Sequence, residues 1–286
     1  MDAAASSQWI RAMLRYRSDH PALLHVLDTL ERLLDRPYRT NVVLLGEAGT
    51  GKEGLARALH AAMSAGADSP FVEVRSGSRD PAALAHELFG AGDRPGAAER
   101  AHRGTLYLDE VATLAPEIQA RLADLLHGTV EREGDLEPRS VDLRIVASTD
   151  HDLRGLVASG RFRHDLFHRL ARIELLIPPL RERRADIPRT ALWIGNRILE
   201  RAGVRARLVL EGDDHDDSGE LRPIELTADA AAFLAAQPWP GNFRGLEITL
   251  ERALLLYLDG DRLDPPTLLL AGDRIDVPNP SESGRS

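Results

Sequence analysis

The sequence predicts an α/β protein, in which a five-stranded parallel sheet is covered by helices on both faces and a small helical domain follows. Three observations support this. Five short apolar runs alternate with helix-length amphipathic segments, as buried parallel strands do. A glycine-rich loop follows the first run. Beyond Pro178 the pattern changes to helical spacing. The predicted strands are 42–45, 71–74, 105–108, 143–147 and 173–177.

The pattern of elements predicts four segments along the chain. Apolar residues at helical spacing across 8–35 indicate two helices, the first in an N-terminal extension over 1–20. The α/β domain is expected at 21–178 and the helical domain at 179–272, with helices at 189–203, 227–237 and 243–258. The polar stretch 273–286 is predicted to be a disordered tail.

An acidic stretch interrupts the predicted helical domain. Residues 211–220 are rich in Asp and lie between two short apolar runs, so we expect a hairpin insert near 208–226 with a solvated tip. The spacing does not fit a calcium-binding loop, because the closing bidentate glutamate is missing.

Composition excludes several classes of function. The net charge is -9, which disfavours nucleic acid and anionic membranes as partners of the surface as a whole. Without cysteine there can be no disulfide, thiolate metal site or cysteine nucleophile. No apolar run has the length of a signal peptide or membrane span, so we expect a cytoplasmic protein.

The glycine-rich loop has the spacing of a phosphate-binding loop. Lys52 is the only lysine among 36 basic residues. A compact ammonium can bridge the β- and γ-phosphates of a nucleotide, whereas a planar guanidinium is too wide. The loop follows a predicted strand and opens a predicted helix, as this motif requires. The nucleotide-binding residues predicted here are Gly46, Glu47, Ala48, Gly49, Thr50, Gly51, Lys52 and Glu53.

Two carboxylates, Asp109 and Glu110, follow the predicted strand 105–108. At the carboxyl end of a strand beside bound phosphates, one carboxylate can hold hydrated Mg²⁺ and the other can polarise the attacking water. Alone this pattern is weak, but about sixty residues after a phosphate loop it favours a nucleotide-hydrolysing site.

Several further motifs follow the phosphate loop in the order that is typical of one protein family. The chain resembles the central AAA+ ATPase domain of bacterial enhancer-binding proteins, the activators of sigma-54 RNA polymerase. The similarity covers about residues 21–270. The matching stretches are 46–53, 87–90, 104–110, 142–149, 160–170, 178–183 and 239–244.

The resemblance implies a role for each matched residue. Lys52 would hold the phosphates of ATP, Asp109 the hydrated Mg²⁺ and Glu110 the catalytic water. Thr149 resembles the sensor of the γ-phosphate. Arg163 and Arg169 match the two arginine fingers that reach a neighbouring subunit. Arg244 matches a second sensor, which lies in the lid. The family also implies a ring, expected to be a hexamer or heptamer, because a finger supplied in trans makes turnover depend on assembly.

Several departures from the family bear on function. Where family members have a long loop containing GAFTGA, which contacts the sigma factor, this chain has only 91–93. Three residues span at most about 10 Å. A family asparagine corresponds to Arg75, which we expect either to pair with Glu110 or to face solvent. Asp150 replaces another asparagine and adds negative charge near the phosphates. No DNA-binding domain is recognised, so direct DNA binding is not expected.

The leading hypothesis is a ring protein that hydrolyses ATP, slowly if Arg75 pairs with Glu110. It does not remodel sigma-54 and acts on an unidentified protein partner. The alternative is a binding protein rather than an enzyme, namely a nucleotide-responsive scaffold that hydrolyses little ATP. A monomeric kinase is disfavoured, because two matched arginine fingers and a lid sensor would then have no use.

Overall fold

The computed structural model describes residues 18, 20–34, 40–63, 69–77, 80–134, 137–213 and 221–272. The predicted first helix of the N-terminal extension and the predicted tail at 273–286 lie outside these residues. The chain divides into two compact units, 1–179 and 180–286.

The first unit is built on a five-stranded parallel sheet with the strand order β2-β5-β8-β1-β9. This confirms the sheet expected from the five apolar runs. Its strands are β1 (Val42–Leu45), β2 (Phe71–Arg75), β5 (Thr105–Asp109), β8 (Arg144–Thr149) and β9 (Ile173–Leu176).

Helices surround this sheet in the order in which the chain connects its strands. They are α1 (Pro21–Leu34), α2 (Lys52–Met63), α3 (Pro81–Phe89), α4 (Ala97–Arg100), α5 (Pro116–Leu125), α6 (Leu153–Ala158) and α7 (His164–Leu170). Successive strand residues point to opposite faces of a sheet. In β1, Val43 accordingly belongs to one apolar core, while Val42 and Leu44 belong to the other. Burial on both faces explains why the strands are continuous apolar runs.

Two short antiparallel pairs lie beside each other in the first unit. Strands β3 (Gly90–Ala91) and β4 (Arg94–Pro95) form a hairpin whose turn is Gly92 and Asp93. Strands β6 (Thr129–Val130) and β7 (Arg139–Ser140) form the second pair. The backbone joins the two pairs, because Gly92 N donates to Glu133 O at 3.0 Å and Glu133 N donates to Gly90 O at 3.1 Å.

Side chains strengthen the connection between these two pairs. Arg132 donates to both carboxylate oxygens of Glu99 at 2.6 and 2.7 Å and to the carbonyl of Gly92 at 2.9 Å. Arg132 and Glu99 are largely buried, and this bidentate bond lowers the pKa of Glu99. His86 also contacts Glu133. Residues 90–96 and 131–134 therefore form one structure, which we call the joined hairpins.

The second unit combines helices with a small sheet. Two 3₁₀ turns (Leu180–Glu182 and Arg184–Asp186) precede α8 (Ile187–Arg201). The remaining helices are α9 (Ala228–Ala236), α10 (Asn242–Arg252), which continues as a π-helical turn (Ala253–Tyr257), and α11 (Pro265–Ala271).

The predicted acidic hairpin is wrong in its strand pairing. Strands β10 (Ala206–Leu210) and β11 (Arg222–Leu226) lie where apolar runs were expected, but they pair in parallel, as do β11 and β12 (Arg262–Leu263). A parallel pair cannot be closed by a tight hairpin turn, so the expected hairpin is not formed. Residues 214–220 of the acidic stretch lie outside the described residues.

One acidic residue of that stretch has a structural role. Glu211 accepts a hydrogen bond from Ala228 N at 2.9 Å and also pairs with Arg262. The bond from the backbone N–H at the start of α9 lowers the pKa of Glu211. This carboxylate thus connects the end of β10 to the first turn of α9.

Within the described ranges, no helix is both long enough and apolar enough to cross a lipid bilayer.

Substitution of Gly96, with Gly54 as a control, tests the close packing around the β3–β4 hairpin. A Cβ atom at Gly96 would overlap backbone atoms of Leu88, Phe89 and Gly90, whereas one at Gly54 in α2 would meet no atom within 4 Å. We expect Gly96→Ala to lower the free energy of unfolding by about 1–3 kcal/mol, as overpacking does. Gly54→Ala should raise it by roughly 0.5–1 kcal/mol, because alanine favours helix interiors. Urea unfolding of both variants measures this, and equal effects would contradict the packing described.

Candidate nucleotide-binding site

The phosphate loop lies at the carboxyl end of β1, the strand between β8 and β9. Gly49 and Gly51 adopt positive φ angles of 76° and 96°, which side chains other than glycine rarely tolerate. The Thr50 hydroxyl donates to Glu47 O at 2.8 Å and narrows the loop. Helix α2 begins at Lys52, so its first N–H groups face the same space. Such an array of N–H groups at a helix N-terminus is suited to anionic oxygens.

Lys52 points back into this loop rather than out to solvent. Its Nζ donates to Gly46 O at 2.6 Å and to Glu47 O at 3.1 Å, and it lies 4.0 Å from Glu110 Oε1. Its side chain is only 6% exposed. A buried ammonium held by backbone carbonyls and faced by one carboxylate is positioned for a second anionic partner.

Asp109 is the last residue of β5, and two hydroxyl groups fix its side chain. Ser148 Oγ donates to Asp109 Oδ1 at 2.6 Å, and Tyr107 OH donates to the same oxygen at 3.2 Å. Burial, followed by the nearby Asp109 carboxylate, raises the pKa of Tyr107 well above its usual value. Since both bonds fall on Oδ1, the other carboxylate oxygen is available to a hydrated cation.

Sequence reasoning missed these two orienting hydroxyls. Tyr107 precedes Asp109 by two positions and so shares its face of the strand. Ser148 lies on the neighbouring strand β8, one position beyond the registered pair Leu108 and Ala147. Both residues stand inside motifs that the sequence analysis identified, and the period-two spacing was a usable signal.

Glu110 lies in a left-handed backbone conformation directly after β5, with φ 60° and ψ 49°. For a residue with a side chain this conformation is uncommon and is found at functional sites. The hydroxyls of Ser76 and Thr113 donate to its carbonyl at 3.0 and 2.8 Å and hold this turn.

The environment of Glu110 changes its proton affinity. Burial and the negative charge of Asp150 raise its pKa, while Lys52 acts in the opposite direction. A half-buried carboxylate with raised proton affinity beside a buried ammonium is suited to accept a proton from water.

Thr149 connects strand β8 to the phosphate loop. It is fully buried, its carbonyl accepts from Gly46 N at 3.2 Å, and its hydroxyl accepts from His151 N at 3.1 Å. Asp150 pairs with His151 Nδ1 at 2.7 Å. The expected negative charge of Asp150 thus falls beside Glu110, and a ligand atom from each of Glu110, Asp150 and His151 lies within 4.8 Å of the others.

Arg75 does not pair with Glu110. The guanidinium is 67% exposed and binds Glu73 at 2.8 Å and Glu53 at 3.5 Å. Arg57 contacts the same two carboxylates at 2.6 and 2.9 Å. The first of the two expectations is therefore wrong, because Glu73 shares the strand face of Arg75 and lies closer to it. The Glu53 carboxylate also belongs to this surface network, because it pairs with both arginines.

The two predicted finger arginines flank helix α7. Arg163 precedes it and binds both oxygens of Asp165 at 2.8 and 3.0 Å, which lowers the pKa of Asp165 to about 2. Arg169 contacts His127 Nδ1 at 3.0 Å. Within the described residues neither guanidinium bonds to Lys52, Asp109 or Glu110 of its own chain.

Arg244 lies in the first turn of α10, in the second unit. The turn before it depends on Asn242, which is fully buried, has φ 48° and accepts a hydrogen bond from Leu180 N at 2.9 Å. Asparagine tolerates this left-handed conformation better than most residues. The motif at 239–244 therefore has a structural role in addition to presenting Arg244.

The order of the five strands, with the phosphate loop after β1, defines an AAA+ P-loop protein. Solved structures of Hsp104 with a nucleotide analogue and of a RuvB mutant from Thermotoga maritima share this fold at TM-scores of 0.62 and 0.59, each at 14% identity.

The sequence pattern of the Sigma-54 interaction domain matches residues 17–176, and the chain belongs to this family. This confirms the resemblance drawn from the motifs. The chain is 39% identical to the nitrogen assimilation regulatory protein NtrX of Azorhizobium caulinodans over 240 residues, covering 81% of this chain and 49% of the relative. It is 41% identical to the phenol regulator MopR of Acinetobacter guillouiae over 225 residues, covering 75% and 37%.

Solved structures of NtrX from Brucella abortus are also similar. The complex of that protein with ADP has a TM-score of 0.77 at 35% identity, covering 95% of this chain and 59% of NtrX. Its complex with ATP has a TM-score of 0.73 at 37% identity, covering 88% and 56%. The chain spans about half the length of the curated relatives it matches.

The exposed position of Arg75 can be tested by its contribution to stability, because exposed ion pairs contribute little to the free energy of unfolding. We expect Arg75→Asn to change the free energy of unfolding by less than about 1 kcal/mol, and less still at high salt. Urea unfolding at low and high salt measures this. A loss of about 3 kcal/mol or more would instead indicate a buried partner such as Glu110.

Proposed function

We propose that this protein binds ATP with Mg²⁺ and hydrolyses it, and that it is a transcription-regulatory ATPase that does not itself remodel sigma-54. The observation that carries the catalytic part is the position of Lys52, whose Nζ lies between the carbonyls of the phosphate loop and Glu110 Oε1. The ATP and ADP complexes of NtrX support nucleotide binding by analogy.

The donor set fits Mg²⁺, which prefers carboxylate and water oxygens and retains several waters. Asp109 would hold the hydrated ion, since two hydroxyls fix its carboxylate. Glu53 occupies the position where phosphate loops commonly have a hydroxyl ligand, and it binds arginines instead. When bound, the ion neutralises charge on the phosphate oxygens.

In the proposed reaction, each residue positions a group or stabilises charge. The loop N–H groups and Lys52 bind the phosphates and stabilise the charge that develops during transfer. Glu110 accepts a proton from the attacking water, and its raised pKa favours this role. We infer that Thr149 senses the γ-phosphate, because its backbone carbonyl already binds Gly46 N.

We infer that the site is completed by a neighbouring copy in a ring, expected to be a hexamer or heptamer. Arg163 and Arg169 lie at the two ends of one short helix, and within the described residues their guanidinium groups bond only to Asp165 and His127. Such guanidiniums can reach an adjacent subunit's phosphates. Arg244 is proposed as the second sensor, carried by the lid domain at 179–272.

The joined hairpins support the second half of the proposal. Ala91 pairs directly with Arg94, so only Gly92 and Asp93 form the turn between β3 and β4. A two-residue turn cannot project from a ring face as a longer loop does. Backbone bonds to Glu133 also hold this turn against the neighbouring segment. The partner we propose is an unidentified cytoplasmic protein, contacted through residues 131–139 or through the acidic stretch 211–220.

One observation favours a nucleotide-responsive scaffold as a second candidate function. A carboxylate oxygen of Asp150 lies within 4.8 Å of one of Glu110, so Asp150 can accept a hydrogen bond from the same water that Glu110 would position. The expected Arg75–Glu110 pair, which would have been another reason for slow hydrolysis, is not formed. Measured turnover of the assembled protein separates the two functions, since a scaffold would bind ATP without releasing phosphate.

Substitutions at Lys52 and Glu110 separate binding from hydrolysis. Lys52→Ala should abolish ATP binding, and Lys52→Arg should restore little, since a guanidinium does not fit the loop. Glu110→Gln should bind ATP normally and lose about 10²-fold or more in turnover. Titration with a fluorescent ATP analogue and phosphate-release assays measure both effects. Unchanged hydrolysis in both Lys52→Ala and Glu110→Gln would show that these residues do not form the ATPase site.

Dependence on assembly can be measured through the finger arginines. Arg163→Ala and Arg169→Ala should each lower turnover by about 10³-fold. The matched control is Arg161→Ala, which removes an exposed guanidinium that bonds only to Ser159 among the described residues and should have little effect. Mixing a finger variant with Lys52→Ala should restore part of the activity, because each supplies what the other lacks. Specific activity independent of protein concentration would refute assembly in trans.

A transcription assay tests the proposed lack of sigma-54 remodelling. With ATP and purified sigma-54 polymerase, we expect no promoter opening, because no projecting loop can transmit work to the sigma factor. A relative with the full GAFTGA loop is the positive control. Promoter opening that is lost in Lys52→Ala would show that this part of the proposal is wrong.

A further inference from the structure

Helix α7 carries two histidines, His164 and His168, on one face. They are four positions apart, so they lie on consecutive turns of the helix. Their Nε2 atoms are 3.0 Å apart and their ring centroids 4.2 Å apart. Both side chains are exposed. The proposed ATPase function uses neither of them.

The separation of the two Nε2 atoms fits a shared metal ion. Zinc and related ions bind imidazole nitrogen at about 2.0–2.1 Å, and bond angles between 90° and tetrahedral then place two such nitrogens about 2.8–3.4 Å apart. A histidine pair at this helical spacing is the arrangement that zinc-binding helices use. A hydrogen bond between the two rings would give a similar distance, so the experiment must distinguish the two.

Neighbouring residues hold the helix so that the pair is already assembled. Leu166, Phe167 and Leu170 are buried beneath it, and the Phe167 ring contacts the His168 ring edge-on at 5.5 Å. Asp165 is not a third ligand in this structure, because its carboxylate is bound by Arg163 and by Leu166 N. Among the described residues this surface therefore offers two imidazoles, and solvent can fill the other coordination positions.

We propose that His164 and His168 form a bidentate site for a late first-row divalent cation such as Zn²⁺ or Cu²⁺. Neutral imidazole suits these ions and not Mg²⁺, which prefers oxygen ligands. The site is thus chemically distinct from the Mg²⁺ position at Asp109. It also differs from the group formed by Glu110, Asp150 and His151, which has two carboxylates and one imidazole.

Occupancy of this site would affect the helix that carries both finger arginines. His164 is adjacent to Arg163 and His168 to Arg169, so a bound dication adds positive charge beside both guanidiniums. Three positive centres at one subunit boundary repel each other, and we expect the metal to inhibit turnover. This consequence rests on the proposed function, whereas metal binding itself does not.

Metal binding is measured on the full chain, with Zn²⁺ in calorimetry and Cu²⁺ in electron paramagnetic resonance. We expect one Zn²⁺ per chain and a Cu²⁺ spectrum with coupling to two imidazole nitrogens. His164→Gln and His168→Gln should each weaken binding at least about tenfold, since even changes to outer-shell partners of metal sites cost about 10–100-fold. Circular dichroism confirms that the variants fold.

Two controls make the assignment specific. His25→Gln changes an exposed helical histidine of the first unit and should leave metal binding unchanged. His151→Gln should also leave it unchanged, and loss of binding in that variant alone would assign the metal to the carboxylate group instead. Absence of Zn²⁺ binding, or binding that survives both His164→Gln and His168→Gln, would overturn the proposal.

Phosphate release in excess Mg²⁺ and ATP tests the consequence separately. Zn²⁺ should lower turnover of the unchanged protein but not of His164→Gln or His168→Gln. Equal inhibition of all three would overturn the inhibitory role while leaving the calorimetric result to decide the site. A protein that binds Zn²⁺ but never hydrolyses ATP would contradict the proposed function and not the metal site.

Discussion

The parallel pairing of β1 with β8 and β9 is the constraint on which the candidate site depends. Registered pairs run from Val42 with Val146 to Leu45 with Thr149, and the bond from Gly46 N to Thr149 O continues the ladder into the phosphate loop. Because the strands are parallel, the residues that follow them meet at one edge of the sheet. The loop, Asp109 and Thr149 come together for this reason, although they are far apart in sequence.

Electrostatics at that edge explain why a lysine is retained in a chain that otherwise uses arginine. Three carboxylates, Asp109, Glu110 and Asp150, converge near one buried ammonium. A guanidinium needs a planar array of acceptors, whereas an ammonium can bind two backbone carbonyls and still face a carboxylate. The arginines nearest the loop, Arg57 and Arg75, instead bind Glu53 and Glu73 on the surface.

The parts of the structure that follow from local pattern could be predicted from sequence. Strands β1, β5 and β8 contain apolar runs buried on both faces, and the loop at 46–53 follows a strand and opens a helix, as its motif requires. It is harder to predict from sequence which strands and which side chains pair with each other. Parallel and antiparallel pairing of 206–210 with 222–226 bury similar residues, so alternation alone could not decide between them. The partner of Arg75 depended on which carboxylate the fold brings nearest, and Glu73 was two positions away.

The joined hairpins hold the short 91–93 segment against residues 131–134. Glu133 bonds through its backbone to Gly90 and Gly92, and Arg132 is bound to the largely buried Glu99. Separating the segments would break these hydrogen bonds, including the bidentate bond of a charged pair shielded from solvent, which is energetically costly. The two segments should therefore move together. If the nucleotide state is transmitted to a partner at this surface, the partner must contact the combined structure, because neither segment can move far alone.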